Sequence, residues 1–396
     1  MHTKPCLKIT AQRFLLWSIL GLATTSVMRT TNAAKPIGIH LDIEVHSLSG
    51  WGGGNQQSWA NQWLDLLEQA KKIAGPNIPL TVDFAMQYTS VVQITRNGET
   101  KSLADWALDI VDRAVLMAYR DYGTVDDCHL TNHKKCGETD SISHHYNELL
   151  TLAESKKTNK NKIYNIQIGV ETNKDTLDKI NFGLEGEAYM ESVLNNLTRQ
   201  FDHRSSFGGI VVHDLTHATT KSYFIDTSMR PTSSSRVCRS VWVWDTCYIT
   251  RVGGSCNGSK TPQHLIDLAK DYSISNIVID SQWFFGIYKS KFKKFVNLAA
   301  KNGITVEILF ANHSWSLSEN HAEVLTLLKQ AKKFMKRMKD TPVVSNPKHC
   351  VTENKTCFRC NTKDSNCIRC KRFGNKLKGK ECKQLFGRNP MECSST

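Results

Sequence analysis

Residues 36–46 read PIGIHLDIEVH, and their alternation decides the fold. Ile39, Leu41, Ile43 and Val45 alternate with His40, Asp42, Glu44 and His46, the period-two pattern of a strand whose successive side chains face opposite sides. A parallel strand flanked by helices turns its apolar row outward against them. The polar row then faces inward, where Val, Ile and Leu are usual. Four polar residues there are more than packing requires, because buried charges without partners cost several kcal/mol, on the order of a whole domain's stability.

Outward from this stretch, short β-branched runs alternate with amphipathic segments as far as residue 340. The expected strands are 38–46, 79–87, 114–120, 164–171, 208–214, 241–248, 276–283 and 304–311. Helical periodicity marks 58–73, 102–113, 146–152, 187–201, 262–272, 291–303 and 320–338, while 219–229 is poorly written. Eight strand–helix units in about 305 residues predict an α/β fold, a (β/α)8 TIM barrel over residues 34–340. A doubly wound open sheet shares the alternation, but the glycine-rich phosphate turn it expects after the first strand is missing.

If the barrel forms, its C-terminal mouth collects acids. Asp42 and Glu44 come from the first strand and Asp83 and Gln87 from the second. Tyr119 and Arg120 end the third, Glu171 the fourth and His213 the fifth, and Asp280 and Glu307 sit at polar positions of the last two. Such a cluster suits acid–base chemistry on a polyhydroxylated substrate. A hydrogen-bonded polar plug without chemistry is the plainer reading. Trp244 and Trp283 lie near the same end and serve either as core or as platforms for sugar rings.

GIHLDIE resembles the signature strand of the family-18 glycoside hydrolases, the chitinase-like barrels, at Gly38, Asp42 and Glu44. LMAYRD (116–121) is similar to that family's MxYD strand and FGGIVVHD (207–214) to its closing GGxxxW strand. The resemblance implies Glu44 as general acid, Asp42 as the neighbour that adjusts its proton, and Tyr119 as an assisting hydroxyl. His46, Asp83, Gln87, Arg120, His213, Trp244, Trp283 and Glu307 are the expected substrate contacts. Departures fall at Ile37 and His40, where the family has Asp, at Arg120 in place of the MxYD Asp, and at His213 in place of the Trp that floors the sugar site. Glu171 suggests a second route, with two carboxylates acting as acid and nucleophile about 5 Å apart. The acid strand is the family's fourth but stands first here, which suggests a circular permutant, a slice of tandem barrels or a faulty gene model. A catalytically inactive lectin-like or scaffold barrel is the competing class.

The ends of the chain carry a different message. Lys4, Lys8 and Arg13 precede an apolar run from Phe14 to Met28 and small residues to Ala34, the order of a secretory signal peptide over 1–33, with an uncleaved signal anchor as the alternative. Loss of Cys6 would leave twelve cysteines, and sequons at Asn196, Asn257, Asn312 and Asn354 suit a secreted glycoprotein. Residues 346–396 form a basic Cys-rich module with twelve Lys or Arg against four Asp or Glu. Its CxxC pairs, Cys357 with Cys360 and Cys367 with Cys370, read as disulfide-forming in that compartment rather than as zinc ligands. Cys128 with Cys136 looks like a loop bridge. The expected partner is carbohydrate, with anionic glycans or a cell surface for the tail. No nucleic acid, cofactor or metal is expected.

Overall fold

The computed structural model describes residues 35–128, 137–160, 164–173, 180–214, 238–250, 260–282 and 284–338. The expected signal segment, residues 346–396, Cys136, Trp283 and the segment 219–229 lie outside the described residues.

Eight parallel strands close into a barrel: β1 (Gly38–Asp42), β2 (Leu80–Ala85), β5 (Arg113–Met117), β6 (Asn165–Glu171), β7 (Phe207–His213), β8 (Arg239–Val243), β9 (Asn276–Asp280) and β10 (Thr305–Ala311). Each pairs with its neighbours in chain order, and β1 closes the ring against β10 with Gly38 opposite Glu307 and Asp42 opposite Ala311. The doubly wound alternative is excluded by that last pairing. β3 (Gln93–Arg96) and β4 (Glu99–Ser102) form a separate antiparallel hairpin turning at Asn97 and Gly98, both with positive φ, the backbone that an Asn-Gly two-residue turn supplies.

Every expected strand exists, but several end early. β1 stops at Asp42 and runs into a 3-10 turn, Val45–Ser47; β2 stops at Ala85 before the turn Met86–Tyr88. Apolar alternation continues through these loops because they pack inward, so pattern alone overruns the hydrogen-bonded ladder. Helices cover Gln56–Ala74, Leu103–Ile110, Ile142–Lys160, Glu187–Phe201, Pro262–Asp271, Lys289–Lys301 and His321–Arg337. Some of their starts carry side-chain caps: the Ser102 hydroxyl accepts from the Asp105 amide at 3.2 Å, and Thr261 accepts from His264 ahead of Pro262.

The main core lies between strands and helices, where Ile39, Leu41, Val82, Phe84, Ile168 and Phe310 meet the helical Trp63, Leu67 and Phe295. Inside the barrel Val115, Val211, Trp242, Val278 and Leu309 form a second, smaller apolar layer. Gly169 leaves room for it, since a Cβ there would stand 2.9 Å from Val115 and 3.0 Å from Trp242. Below that layer the lining is polar: Asn276 and Gln167 both donate to Ser240, and Thr305 donates to Asn276. Above it lie the acids.

Candidate functional site

At the C-terminal mouth, β1 and the turn after it supply the first acids. Glu44 ends the extended segment, its side chain about one-third exposed, and accepts a hydrogen bond from the Ser47 hydroxyl at 2.7 Å. Behind it His46 takes part in a donor chain: its backbone N–H donates to the Tyr88 hydroxyl, which lies 3.0 Å from Nδ1. Tyr88 therefore donates to Nδ1, leaving Nε2–H turned towards Glu44 at 3.6 Å. Burial lowers the His46 pKa against the pull of Glu44, in keeping with that neutral ring.

Asp42 sits one strand step deeper. Burial, then the nearby Asp83 and Glu44 carboxyls, push its pKa well above the usual carboxylate range. Asp83 is buried on β2, hydrogen-bonded to Asp42 and to His40 Nε2, the latter at 2.8 Å; burial raises its pKa against the pull of His40. Two carboxyls in hydrogen-bonding contact must share a proton. Tyr119, just past β5, faces the same space: burial raises its phenol far above the ordinary value, and Asp42, Glu171, Asp83 and Glu44 all add to the rise.

A second group lies across the mouth. Glu171, at the end of β6, accepts from the Thr172 and Asn173 amides at 2.8 and 2.7 Å with one oxygen, and its other oxygen lies 2.6 Å from His213 Nδ1. His213 Nε2 is 2.6 Å from the Trp244 indole nitrogen, and its ring stacks on Tyr119 with centroids 6.1 Å apart. An indole N–H only donates, so His213 must accept at Nε2 and carry its proton on Nδ1, facing Glu171. Burial lowers the His213 pKa, Glu171 outweighs it, and the net direction is up; the Trp244 N–H opposes a second ring proton.

The mouth thus brings together Asp42, Glu44, His46, Asp83, Tyr119, Glu171, His213 and Trp244. Other expected contacts stand elsewhere. Glu307 requires correction: it lies near the N-terminal end of β10, opposite Gly38, bonded to Arg113 at 3.0 Å and approached by Thr81 and His40. These cations and hydrogen bonds hold its pKa below the ordinary value although burial raises it. Strand alternation placed it on the inward face correctly but could not tell which end of the strand it occupied. Arg120 turns to the loop, bonding Asp140 and its neighbour's carbonyl. Gln87 is half-buried in the turn after β2. Asp280 does face the mouth, at the C-terminal end of β9, its pKa raised by burial.

Two participants carried no sequence flag of their own. His40 was one residue of a polar row, and Tyr88 one apolar residue of a turn; only three-dimensional contact reveals their partners. Among the described residues no group of His, Cys, Asp and Glu is arranged to hold a metal ion.

No protein-family model matches the chain, and no curated protein matches it in sequence. Among solved structures it is similar to the carboxyl transferase domain of Rhizobium etli pyruvate carboxylase: with 3-bromopyruvate, 10% identity and a TM-score of 0.29 over 78% of this chain and 49% of that one. With pyruvate the values are 8% and 0.24 over 79% and 49%. The chain spans about half the length of those structures. The barrel assignment rests on its own strand pairing.

Proposed function

We propose that this barrel hydrolyses a glycan in the manner of the chitinase-like glycoside hydrolases, with Glu44 as general acid. The observation that carries the reading is a Glu44 about one-third exposed at the C-terminal mouth, directly above a buried Asp42–Asp83 pair and near Tyr119. A general acid must reach substrate, and the proton of a neighbour held neutral beside it is the reserve such chemistry uses. Motif placement adds support. GIHLDIE, LMAYRD and FGGIVVHD fall on β1, β5 and β7, alternate strands of the ring, and closure of β1 on β10 is what a circular permutant of one barrel requires.

Glu171 is the weaker nucleophile. One of its oxygens is held by two backbone amides and the other by His213, so attack on a sugar carbon would forfeit those bonds. In this reading it anchors His213 and, through that ring, Trp244. The competing lectin-like reading is favoured by His213 itself, which stands where the related barrels floor the sugar with Trp and has both ring nitrogens engaged.

Screening a glycan array and assaying hydrolysis of the binders tests the proposal. Turnover that disappears in Glu44→Gln and persists in Glu171→Gln supports it. Binding without any Glu44-dependent turnover selects the lectin, and loss of turnover with a trapped covalent adduct only when Glu171 is present selects the two-carboxylate route.

Secretion belongs to the same proposal. Cys128, Cys238 and Cys247 are each disulfide-bonded, which suits an oxidising compartment, and no helix among the described residues is long and apolar enough to cross a membrane. An anionic glycan partner gains support beyond residues 346–396: Lys329, Lys332, Lys333, Lys336 and Arg337 line one surface groove with Ile73. These five cations are spaced three and four apart on one helix, an arrangement that costs helix stability unless an anion answers it.

A further inference from the structure

Charged and polar groups run along the barrel axis in alternating sign. Arg113, near the bottom of β5, donates to Glu307 Oε1 at 3.0 Å. Glu307 Oε2 stands 3.5 Å from His40 Nδ1, an ion-pair contact longer than a good hydrogen bond. His40 Nε2 is 2.8 Å from Asp83 Oδ1, and Asp83 contacts Asp42. His40 has no exposure and stands edge-on to Trp242, with ring centroids 6.0 Å apart.

Three enclosed atoms of this cluster make no hydrogen bond: His40 Nδ1, which faces Glu307 at 3.5 Å, and two carboxyl oxygens. Asp42 Oδ1 and Asp83 Oδ2 are both enclosed and, as bare anions, lack hydrogen-bond partners. A single proton between the two carboxyls answers both vacancies, since a protonated carboxyl donates where an anion only accepts. Which carboxyl owns that proton follows from the neighbours. Asp83 faces His40 directly, whereas Asp42 faces Asp83 and Glu44, two further acids.

We infer that His40 is a positioning residue: a doubly protonated ring held between Asp83 and Glu307, which keeps Asp83 ionised and leaves Asp42 as the neutral acid that donates to it. The groups facing this ring are Asp42 and, above it, Glu44 from the β1 segment, Asp83 with Thr81 nearby from β2, Glu307 from β10, Arg113 behind Glu307 from β5, and Trp242 from β8. Burial opposes a charged imidazole, but two carboxylates on opposite sides of the ring outweigh it. The consequence reaches the mouth, where Asp42 meets Glu44 and substrate as an acid rather than as an anion. The charge assignment stands without catalysis; only the use of the Asp42 proton rests on the glycosidase reading.

The full chain, labelled at the histidine ring nitrogens and the aspartate carboxyl carbons, tests this by NMR between pH 5 and 9. Expected are a His40 ring with both nitrogens protonated at pH 7 and an Asp42 carboxyl in the neutral range while Asp83 is ionised. A singly protonated His40 at pH 7, or an ionised Asp42 beside a neutral Asp83, overturns the inference. Paired amide variants give an independent reading by urea unfolding. Asp42→Asn can still donate to Asp83 and keeps its midpoint, whereas Asp83→Asn strands the cationic ring and lowers the midpoint clearly. Equal loss in both, or the reverse order, overturns it as well. A chain that shows the NMR pattern but hydrolyses no glycan loses the proposed function and keeps this assignment.

Discussion

The two ends of the barrel treat charge in opposite ways. Towards the N-terminal end acids meet cations: Arg113 with Glu307, Lys71 with Asp112 at 2.5 Å, and Arg239 gripping Glu191 through both guanidinium nitrogens, one at 2.6 Å. The C-terminal mouth gathers Asp42, Glu44, Asp83, Glu171 and Asp280 around His46 and His213; Arg120 points away to Asp140, and Lys260 is taken up by Asp245 just past β8. Paired charges fix a fold, and crowded acids are what a fold tolerates for a task. The contrast separates residues that position from residues that act, and it can be broken from either side.

The largest effect is expected at the paired end. Glu191 has no exposure and Arg239 little, so Glu191→Gln leaves a buried guanidinium without its counter-ion. Losing one partner of such a pair costs about 3–5 kcal/mol. Urea unfolding should show that loss, while the folded fraction keeps whatever activity the wild type has. At the mouth the pattern inverts. Glu44 is partly exposed, accepts from Ser47 and meets His46 at 3.6 Å, so Glu44→Gln should hardly move the unfolding midpoint while lowering hydrolysis by about 10²–10⁴-fold, the range for loss of a general acid. A midpoint drop in Glu44→Gln as large as that in Glu191→Gln would erase the distinction.

His40 joins the two ends, and its effect depends on pH. Its folded pKa lies at about 10, above the ordinary 6.5. A base with a raised pKa adds stability that is fully present below the unfolded value and fades as pH climbs towards the folded one. Stability should therefore fall between about pH 6.5 and pH 10, and His40→Gln should flatten the decline relative to wild type in parallel urea titrations. Glu307 acts oppositely. Its lowered pKa adds stability above the ordinary carboxylate range that is lost on acidification, so Arg113→Met should cost stability at neutral and alkaline pH and progressively less in acid, flattening the acid limb of the same urea titrations.

Much of this contrast was legible in sequence. PIGIHLDIEVH fixed the inward row of β1, because period-two alternation carries face information directly, and the eight-unit count predicted the closed ring. Depth was not legible. Alternation says which face a residue takes, but register against the neighbouring strand decides whether it sits at the bottom or the mouth, and Glu307 was misplaced for that reason. Long-range pairs were hidden too. His40 and Asp83 are 43 residues apart, and Glu307 reaches β1 only through ring closure. The β3–β4 hairpin is written locally in Asn97-Gly98, but it lies inside the strand–helix rhythm, which marks no element between 87 and 102.

The smallest effect tests the finest feature, the proton on His213. Trp244 donates to Nε2 while Glu171 takes the proton of Nδ1, so the two neighbours pull the ring in opposite directions. Trp244→Phe keeps most of the ring contact and removes only the donor. A hydrogen bond of this kind is worth about 1 kcal/mol, and one pKa unit corresponds to about 1.4 kcal/mol. With the opposition gone, Nε2 is free to protonate, and the His213 pKa should rise by somewhat less than about one unit, measured from its ring resonances across a pH titration. A fall would mean that the indole had instead been screening a charged ring, and Glu171 would then be holding an imidazolium at the mouth. That result would place a fixed cation among the acids and remove the contrast with the paired end of the barrel.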